Sequence, residues 1–190
     1  MMSTAKELAR AFHETGSFKW DQFKGFTLAS GHVSPFYVDC RALMAHPSAR
    51  RLVGQLAHGA LMGVEIDCLG GLEIGAIAIT TTISDFAYAA DPKREWRTFV
   101  VRKQAKDHGL GKLIEGAIRR GDRALIVDDV LTSGGSLLKA VASAREAGRE
   151  RRSRECDSPL RLAGDPPNAA KSKGATEPAA TRLLQGQSSP

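Results

Sequence analysis

The sequence has few cysteines and no long apolar run, and these two shortages narrow the class of protein. Its 190 residues include only three cysteines, Cys40, Cys68 and Cys156, with no Cys-x-x-Cys pair among them. An odd number of widely separated cysteines is typical of reduced thiols and indicates neither a disulfide framework nor a zinc site. No apolar run approaches the roughly 18 residues of a membrane span, and no secretory leader pattern is present. We therefore expect a cytoplasmic protein that binds no membrane.

The end of the chain lacks the residues from which a packed core is built. Residues 149–190 contain no Val, Ile, Phe, Tyr or Trp and are rich in Arg, Ser, Pro and Ala. Such a segment cannot bury enough apolar surface to offset its ordering entropy. We expect one folded domain over residues 1–148 and a disordered tail over residues 149–190. Two origins of the tail stay open, a change of coding frame near Arg149 or a natural extension.

The charge of the chain does not indicate nucleic-acid binding. A formal net charge of +6 permits acidic partners. Five of the basic residues, however, fall within residues 145–154, so the whole-chain figure overstates the basic surface of the folded part. We expect no nucleic-acid partner.

One segment carries a dense chemical pattern, Leu125-Ile-Val-Asp-Asp-Val-Leu-Thr-Ser-Gly-Gly-Ser136. Its opening apolar run predicts a strand buried on both faces. Asp128 and Asp129 stand where that strand ends, and a turn rich in hydroxyl groups and glycine leads into an apolar helical pattern. An open α/β sheet places a phosphate ligand at such a junction of strand, turn and helix. The segment is not a Walker P-loop, because Gly-Lys-Ser/Thr is absent.

The residue types of this segment suit a phosphorylated sugar. Backbone N–H groups of the turn and the positive end of the helix dipole converge on an anion. Gly134 and Gly135 let the backbone approach that anion closely, and the neighbouring hydroxyl groups are further donors. The two carboxylates repel phosphate but suit ribose hydroxyls and a hard cation such as Mg²⁺. Helix capping would explain the aspartate pair alone, and an ordinary turn would explain the glycine pair alone. These structural explanations account less well for the two pairs together.

The rest of the chain predicts the alternating strands and helices of an α/β fold. The aromatic-rich segment from Phe18 to Val38 predicts a hairpin, which is either a hood over the site or a simple edge hairpin. A Gly-rich connection from Gly70 to Gly75 either holds a second phosphate or serves close packing of a strand and a helix. Further helices and strands are predicted from Thr4 up to Gly16, Pro47 to Met62, Ile66 to Leu69, Ala76 to Ala90 and Thr98 to Val101.

A basic segment, Arg102-Lys-Gln-Ala-Lys-Asp-His-Gly-Leu-Gly-Lys112, follows the last of these strands. A run of charges is usually a solvated face. This one lies in a loop between two strands of a parallel-type sheet, where binding residues concentrate. A mobile cationic loop would hold the negative charge that develops on a pyrophosphate leaving group and would exclude water.

Four segments together resemble a known family. Leu125 to Ser136 resembles the motif that binds 5-phosphoribosyl-1-pyrophosphate (PRPP) in type I phosphoribosyltransferases. The other three narrow the resemblance to the orotate phosphoribosyltransferases, over residues 6–148. They are Phe26-Thr-Leu-Ala-Ser-Gly-His-Val-Ser-Pro-Phe-Tyr-Val-Asp39, Val101-Arg-Lys-Gln-Ala-Lys-Asp-His-Gly109 and Leu113-Ile-Glu-Gly116. The resemblance implies the type I phosphoribosyltransferase fold, an α/β fold whose mostly parallel sheet is flanked by helices and carries an N-terminal hairpin hood.

The resemblance also implies an activity and its residues. The activity is transfer of 5-phosphoribose from PRPP to orotate, giving orotidine 5′-monophosphate and pyrophosphate in UMP biosynthesis, with Mg²⁺, in a homodimer whose basic loops reach the neighbouring active site. The residues implied for catalysis are Arg102, Lys103, Lys106, His108, Asp128 and Asp129. Those implied for PRPP binding are the same six with Val130, Leu131, Thr132, Ser133, Gly134, Gly135 and Ser136. Thr132 and Tyr37 are implied to bind orotate, and Asp128 and Asp129 to hold Mg²⁺ indirectly with PRPP.

The sequence departs from the family pattern in three places. Many members have a lysine where Ala29 stands, and some have Tyr-Lys where Ile74-Gly75 stands. After Gly148 the family has a further buried strand and an orotate-binding arginine, so we expect the C-terminal strands of this chain to be missing. The departures leave two alternatives to an active orotate enzyme. One is a PRPP-binding protein without catalysis, either a regulator or a truncated relic, and the other is a phosphoribosyltransferase for another base.

Overall fold

Five helices and nine strands form the part of the chain that the computed structural model describes. That part comprises residues 3–28, 31–104, 113–131 and 134–150, without the side chains of residues 148–150, and the backbone of residues 161–162. The helices are α1 (Thr4–Glu14), α2 (Cys40–Met44), α3 (Pro47–Ala60), α4 (Gly75–Ala90) and α5 (Gly135–Glu150). The strands are β1 (Phe18–Trp20), β2 (Phe26–Thr27), β3 (Val33–Ser34), β4 (Phe36–Val38), β5 (Cys68–Leu72), β6 (Arg97–Val101), β7 (Ile114–Gly116), β8 (Arg123–Ile126) and β9 (Arg161–Leu162).

The last five strands form one mixed sheet in the order β7-β6-β5-β8-β9. Strand β5 lies in the middle and pairs in parallel with β6 and β8. Strand β9 continues the parallel pairing beyond β8, and β7 pairs antiparallel to β6 at the other edge. The predicted α/β fold with a mostly parallel sheet is confirmed. The apolar pattern did not predict β7 or β9, because neither is longer than three residues.

Successive side chains of β5 point to opposite faces of the sheet, so the hydrophobic core is divided between the two faces. Cys68 belongs to a buried cluster that includes Phe99 of β6 and Ala144 of α5. Leu69, the next residue, belongs to a second cluster that includes Ile83 of α4. Helix α5 therefore covers one face, and α4, with α3 packed on it, covers the other. None of the helices in the described ranges is long and apolar enough to cross a membrane.

Two glycines that the sequence placed in a connecting turn lie inside the central strand. Gly70 and Gly71 pair with Phe99 and Val100 of β6. A Cβ atom added at Gly70 would lie 2.4 Å from the carbonyl oxygen of Phe99, and one added at Gly71 would lie 1.9 Å from the carbonyl oxygen of Val127. These glycines are needed for close packing, so the packing alternative holds for them. The connection between β5 and α4 is therefore shorter than predicted, and its role in holding a second phosphate stays a prediction.

The predicted hairpin consists of two antiparallel ladders. Strand β1 pairs with β4, and β2 pairs with β3 inside that pair. Phe23, within the predicted hairpin, lies in a turn and not in a strand, and it is 93% exposed. The turn forms because the Asp21 carboxylate accepts hydrogen bonds from the N–H groups of Phe23, at 2.9 Å, and Lys24, at 3.0 Å.

The C-terminal edge of the sheet differs from the expectation. Helix α5 continues through Gly148 to Glu150, and β9 pairs with β8 in the register Arg123↔Arg161 and Ala124↔Leu162. The predicted absence of any strand beyond β8 is therefore wrong for these two residues. Strand pairing uses backbone N–H and C=O groups, so a segment poor in apolar side chains can still supply it. Residues 151–160 and 163–190 lie outside the described part, and the predicted disorder of the tail stays a prediction there.

The glycine packing gives a first test. We expect Gly71→Ala to lower the free energy of unfolding by about 2–3 kcal/mol, because the new methyl group overlaps the Val127 carbonyl. Gly59→Ala, in α3 where an added Cβ meets nothing within 4 Å, is the matched control and should be neutral or stabilising by up to about 1 kcal/mol. Denaturant unfolding measures both variants, and equal effects would contradict the packing argument.

A second test concerns β9. A chain that ends at Glu150 loses the pairing with β8, whereas a chain that ends at Ala163 keeps it. Each lost backbone hydrogen bond costs about 1 kcal/mol, or about 2–4 °C in Tm for a chain of this size. We expect the shorter chain to melt several degrees below the longer one in calorimetry. Equal melting temperatures would mean that β9 contributes no stability.

Candidate active site

A cavity of about 490 Å³ opens where the parallel strands end. Ligands of open α/β sheets bind at this edge. Five residues of the hairpin line one side, so the hairpin is a hood over the cavity and not a simple edge hairpin. The lining residues are Leu28, Ser34, Phe36, Tyr37 and Val38 from the hairpin, Asp39 and Arg41 after it, Leu72, Glu73, Ile74 and Gly75 around the end of β5, and Lys103, Asp128, Asp129, Val130, Leu131 and Ser136.

The two adjacent carboxylates after β8 both line the cavity. The N–H of Asp129 donates to Oδ1 of Asp128 at 3.1 Å, and the N–H of Val130 donates to Oδ1 of Asp129 at 3.1 Å. Burial raises the pKa of Asp128, and the charge of Asp129 raises it further, while the hydrogen bond from the Asp129 backbone opposes the rise. Perturbed carboxylates in a cavity are typical of functional sites.

Asp129 is held between the start of α4 and the start of α2. A Cβ atom added at Gly75 would lie 2.4 Å from Cγ and from Oδ1 of Asp129. From the other side, Sγ of Cys40 donates to the carbonyl oxygen of Asp129 at 3.4 Å. Burial, followed by the charges of Asp129 and Asp39, raises the pKa of the Cys40 thiol to about 11. The thiol therefore keeps its proton at neutral pH and can donate it.

The turn between β8 and α5 brings part of the predicted phosphate site to the cavity. Gly134 adopts a φ of +77°, which favours glycine, and its carbonyl accepts from the N–H of Leu138 at 2.9 Å. Gly135 is the first residue of α5, and Ser136 lines the cavity with the exposed side chains of Val130 and Leu131. The predicted residues Thr132 and Ser133 lie outside the described part of the chain.

The two described cations of the basic loop differ in their position relative to the cavity. Lys103 lines the cavity, but Arg102 is absent from its wall. The N–H of Arg102 donates to the carbonyl of Leu113 at 2.8 Å, and its Nη1 lies 3.8 Å from Oε1 of Glu115 in β7. Lys106 and His108, which the sequence also placed in the site, fall in residues 105–112, outside the described ranges.

The hood places one predicted residue at the cavity and reveals another that sequence reasoning missed. Tyr37 lines the cavity, with its ring centroid 5.8 Å from that of Phe26. The missed residue is Arg41, whose Nε lies 3.2 Å from Oδ1 of Asp39. Asp39 caps α2 by accepting from the N–H groups of Arg41 and Ala42. An aspartate directly after the last hood strand is the cap signal that could have located both residues.

Solved structures share this arrangement of sheet and helices. A phosphoribosyltransferase from Corynebacterium diphtheriae matches with a TM-score of 0.62 and 31% identity, over 84% of this chain and 79% of that one. The Mycobacterium tuberculosis H37Rv orotate phosphoribosyltransferase in complex with PRPP matches with a TM-score of 0.58 and 32% identity, over 77% of this chain and 76% of that one. The fold and the cavity thus define a type I phosphoribosyltransferase.

Sequence relatives identify the family within that class. The orotate phosphoribosyltransferase of Pyrococcus abyssi is 36% identical over 147 residues, which cover 76% of this chain and 75% of the relative. The chain therefore belongs to the orotate phosphoribosyltransferase family. No protein-family model matches the sequence.

The raised pKa of Asp128 predicts a pH-dependent stability. An aspartate whose pKa is raised by folding costs stability above its ordinary pKa of 3.8, and the cost vanishes at lower pH, where the group is protonated in both states. We expect Asp128→Asn to be more stable than the parent at neutral pH, with the difference shrinking towards about pH 4. Denaturant midpoints at a series of pH values measure the difference.

Asp67→Asn is the control of opposite sign. Hydrogen bonds from Arg123 lower the pKa of Asp67. The Asp67 carboxylate therefore stabilises the fold above its ordinary pKa and loses that effect as the pH falls towards the lowered pKa. This variant should be less stable than the parent at neutral pH, with a loss that shrinks on acidification. A constant difference across pH for either variant would refute the assigned pKa direction.

Proposed function

We propose that this chain transfers the 5-phosphoribosyl group of PRPP to orotate, giving orotidine 5′-monophosphate and pyrophosphate. The observation that carries the proposal is a single cavity that joins the carboxylates after β8, the start of α5, Lys103 and the hood. Each part matches one portion of the two substrates, namely ribose, 5′-phosphate, pyrophosphate and base. Membership of the orotate phosphoribosyltransferase family supports the choice of acceptor and the place of the reaction in pyrimidine biosynthesis.

The parts of the cavity have distinct roles in the proposal. Gly134, Gly135 and Ser136 hold the 5′-phosphate, because backbone N–H groups at the start of α5 favour an anion. Asp128 and Asp129 accept hydrogen bonds from the ribose hydroxyls. The hood, with Tyr37, covers the base, and Thr132 is the further residue proposed for orotate.

The chemistry is a substitution at C1′ of the ribose. A ring nitrogen of orotate, after losing its proton to solvent, forms the bond to C1′ while the bond from C1′ to the pyrophosphate oxygen breaks, and pyrophosphate leaves with the electron pair. Positive charge develops on the sugar near the carboxylates of Asp128 and Asp129, and negative charge develops on pyrophosphate near Lys103. Groups aimed at developing charge in a closed site lower the barrier.

Magnesium fits the site as an ion shared with the substrate. In the described ranges no three His, Cys, Asp or Glu side chains are grouped to hold a metal, so the protein offers no complete ligand set there. Mg²⁺ typically binds one or two carboxylates together with substrate phosphates and water, and Asp128 and Asp129 offer such oxygens at the cavity wall. Bound there with PRPP, the ion would neutralise part of the charge of the pyrophosphate group.

A homodimer that shares its basic loops is the assembly we propose. Arg102 lies off the wall of its own cavity and beside Glu115, which supports a role for it in a neighbouring subunit's site. Lys106 and His108 complete the proposed pyrophosphate-binding set. The two described cysteines, Cys40 and Cys68, are free thiols, which is compatible with the proposed location in the cytoplasm. Residues 1–148 form the proposed catalytic domain.

Product formation by the full chain tests the proposal. With PRPP, Mg²⁺ and orotate, we expect orotidine 5′-monophosphate and pyrophosphate in equal amounts by chromatography. Asp129→Asn should lower kcat/KM by at least about tenfold, since it removes a charged partner of the ribose. Asp85→Asn, at an exposed position of α4, should leave kcat/KM unchanged.

The same assay separates the alternatives. PRPP binding in calorimetry without product from orotate would favour the non-catalytic protein. Product from uracil but not from orotate would favour a transferase for another base, because the two bases differ only in the carboxylate of orotate.

A further inference from the structure

Both backbone groups of Lys103 are held by side chains from other elements. The Lys103 N–H donates to Oε1 of Glu73 at 2.9 Å. Its carbonyl oxygen accepts from Nζ of Lys139 at 2.9 Å. Both bonds involve a charged group, and such bonds are stronger than bonds between neutral groups. The first residue of the basic loop to reach the cavity therefore has a fixed backbone.

The two holding residues are themselves anchored to the frame of the site. Glu73 follows β5 directly, and its N–H donates to the carbonyl of Val101 in β6 at 2.8 Å. Lys139 lies on α5, one turn after Ser136, which lines the same cavity. The contacts thus join the end of β5, the end of β6 and the first turns of α5 around the backbone of one residue, Lys103. A surface lysine that only faced solvent would need no such arrangement.

We infer that Glu73 and Lys139 are positioning residues that direct the ammonium group of Lys103 into the cavity, where it binds the pyrophosphate group. The inference rests on the proposed function and extends it to two residues outside the predicted catalytic and PRPP-binding sets. Each acts through the backbone of Lys103. Glu73 also lines the cavity, but its negative charge opposes an anion there, so a loss of pyrophosphate affinity on its removal would have to come through Lys103. A lysine side chain with four rotatable bonds loses much conformational entropy when it binds a ligand. If its backbone is already held, only the side chain has to be ordered on binding.

The inference predicts that the effects of the positioning residues depend on Lys103. We expect Lys139→Met and Glu73→Ala each to weaken binding of inorganic pyrophosphate by the full chain by roughly tenfold in calorimetry. Lys139→Arg and Glu73→Gln keep a donor or acceptor at the same place and should restore most of the affinity. In a Lys103→Ala background, Lys139→Met and Glu73→Ala should cause no further loss, because residues that act through one another are not additive.

Controls distinguish positioning from general stability and from direct binding. Lys93→Met and Glu95→Ala, at exposed positions after α4, should leave pyrophosphate affinity unchanged. Losses that persist in the Lys103→Ala background would overturn the inference, since they would mean direct contact with the ligand or a general loss of structure. Absence of pyrophosphate binding by the parent chain would also overturn it.

Turnover tests the proposed function separately. If the parent binds pyrophosphate with the expected dependence on Lys103 but forms no orotidine 5′-monophosphate, the proposed function fails and the inference holds. If the parent forms product but the variants are additive with Lys103→Ala, the inference fails and the proposed function holds.

Discussion

The close approach of β5 and the start of α4 to the end of β8 is the constraint on which the site depends. A single added carbon at Gly71 would overlap the Val127 carbonyl, and one at Gly75 would overlap the Asp129 carboxylate. The same short segment therefore sets the spacing of the central strands and the position of a carboxylate that lines the cavity. Since packed interiors deform little, a side chain added at either glycine would displace residues near the cavity.

This packing gives a physical reason for one departure from the family pattern. Some members have a lysine at the position of Gly75, but here the Asp129 carboxylate occupies the space into which a side chain would project. The chain therefore has no cation at this position of the cavity wall. Arg41 and Lys103 are the basic residues that the described wall of the cavity contains, and Arg41 is paired with Asp39. Lys103 is left as the described cation best placed to interact with an anion.

The sequence predicted those features that depend on local pattern and missed those that depend on pairing between distant segments. The strand before Asp128 and the helices after Pro47 and Gly75 follow from apolar periodicity and breaker residues, and the structure has them. Gly70 and Gly71 were ambiguous, because a glycine pair signals a turn and a close packing contact alike. The β9 strand could not be predicted, since its pairing with β8 uses backbone groups that carry no sequence signal. The contacts of Glu73 and Lys139 with Lys103 likewise join residues far apart in the chain.

The charge balance of the cavity explains why a cationic loop and a divalent ion belong to the proposal. Four carboxylates, Asp39, Glu73, Asp128 and Asp129, line the described wall against two cations. Such a wall repels a substrate with phosphate at both ends of its ribose, and close like charges are costly where water is excluded. Binding therefore requires positive charge from outside that wall. In the proposed function, Lys106 and His108 of the basic loop supply it, and Mg²⁺ carried with PRPP would supply the rest. Because that charge would come with the ligand and the loop, the acidic wall would bind PRPP together with Mg²⁺ better than PRPP alone.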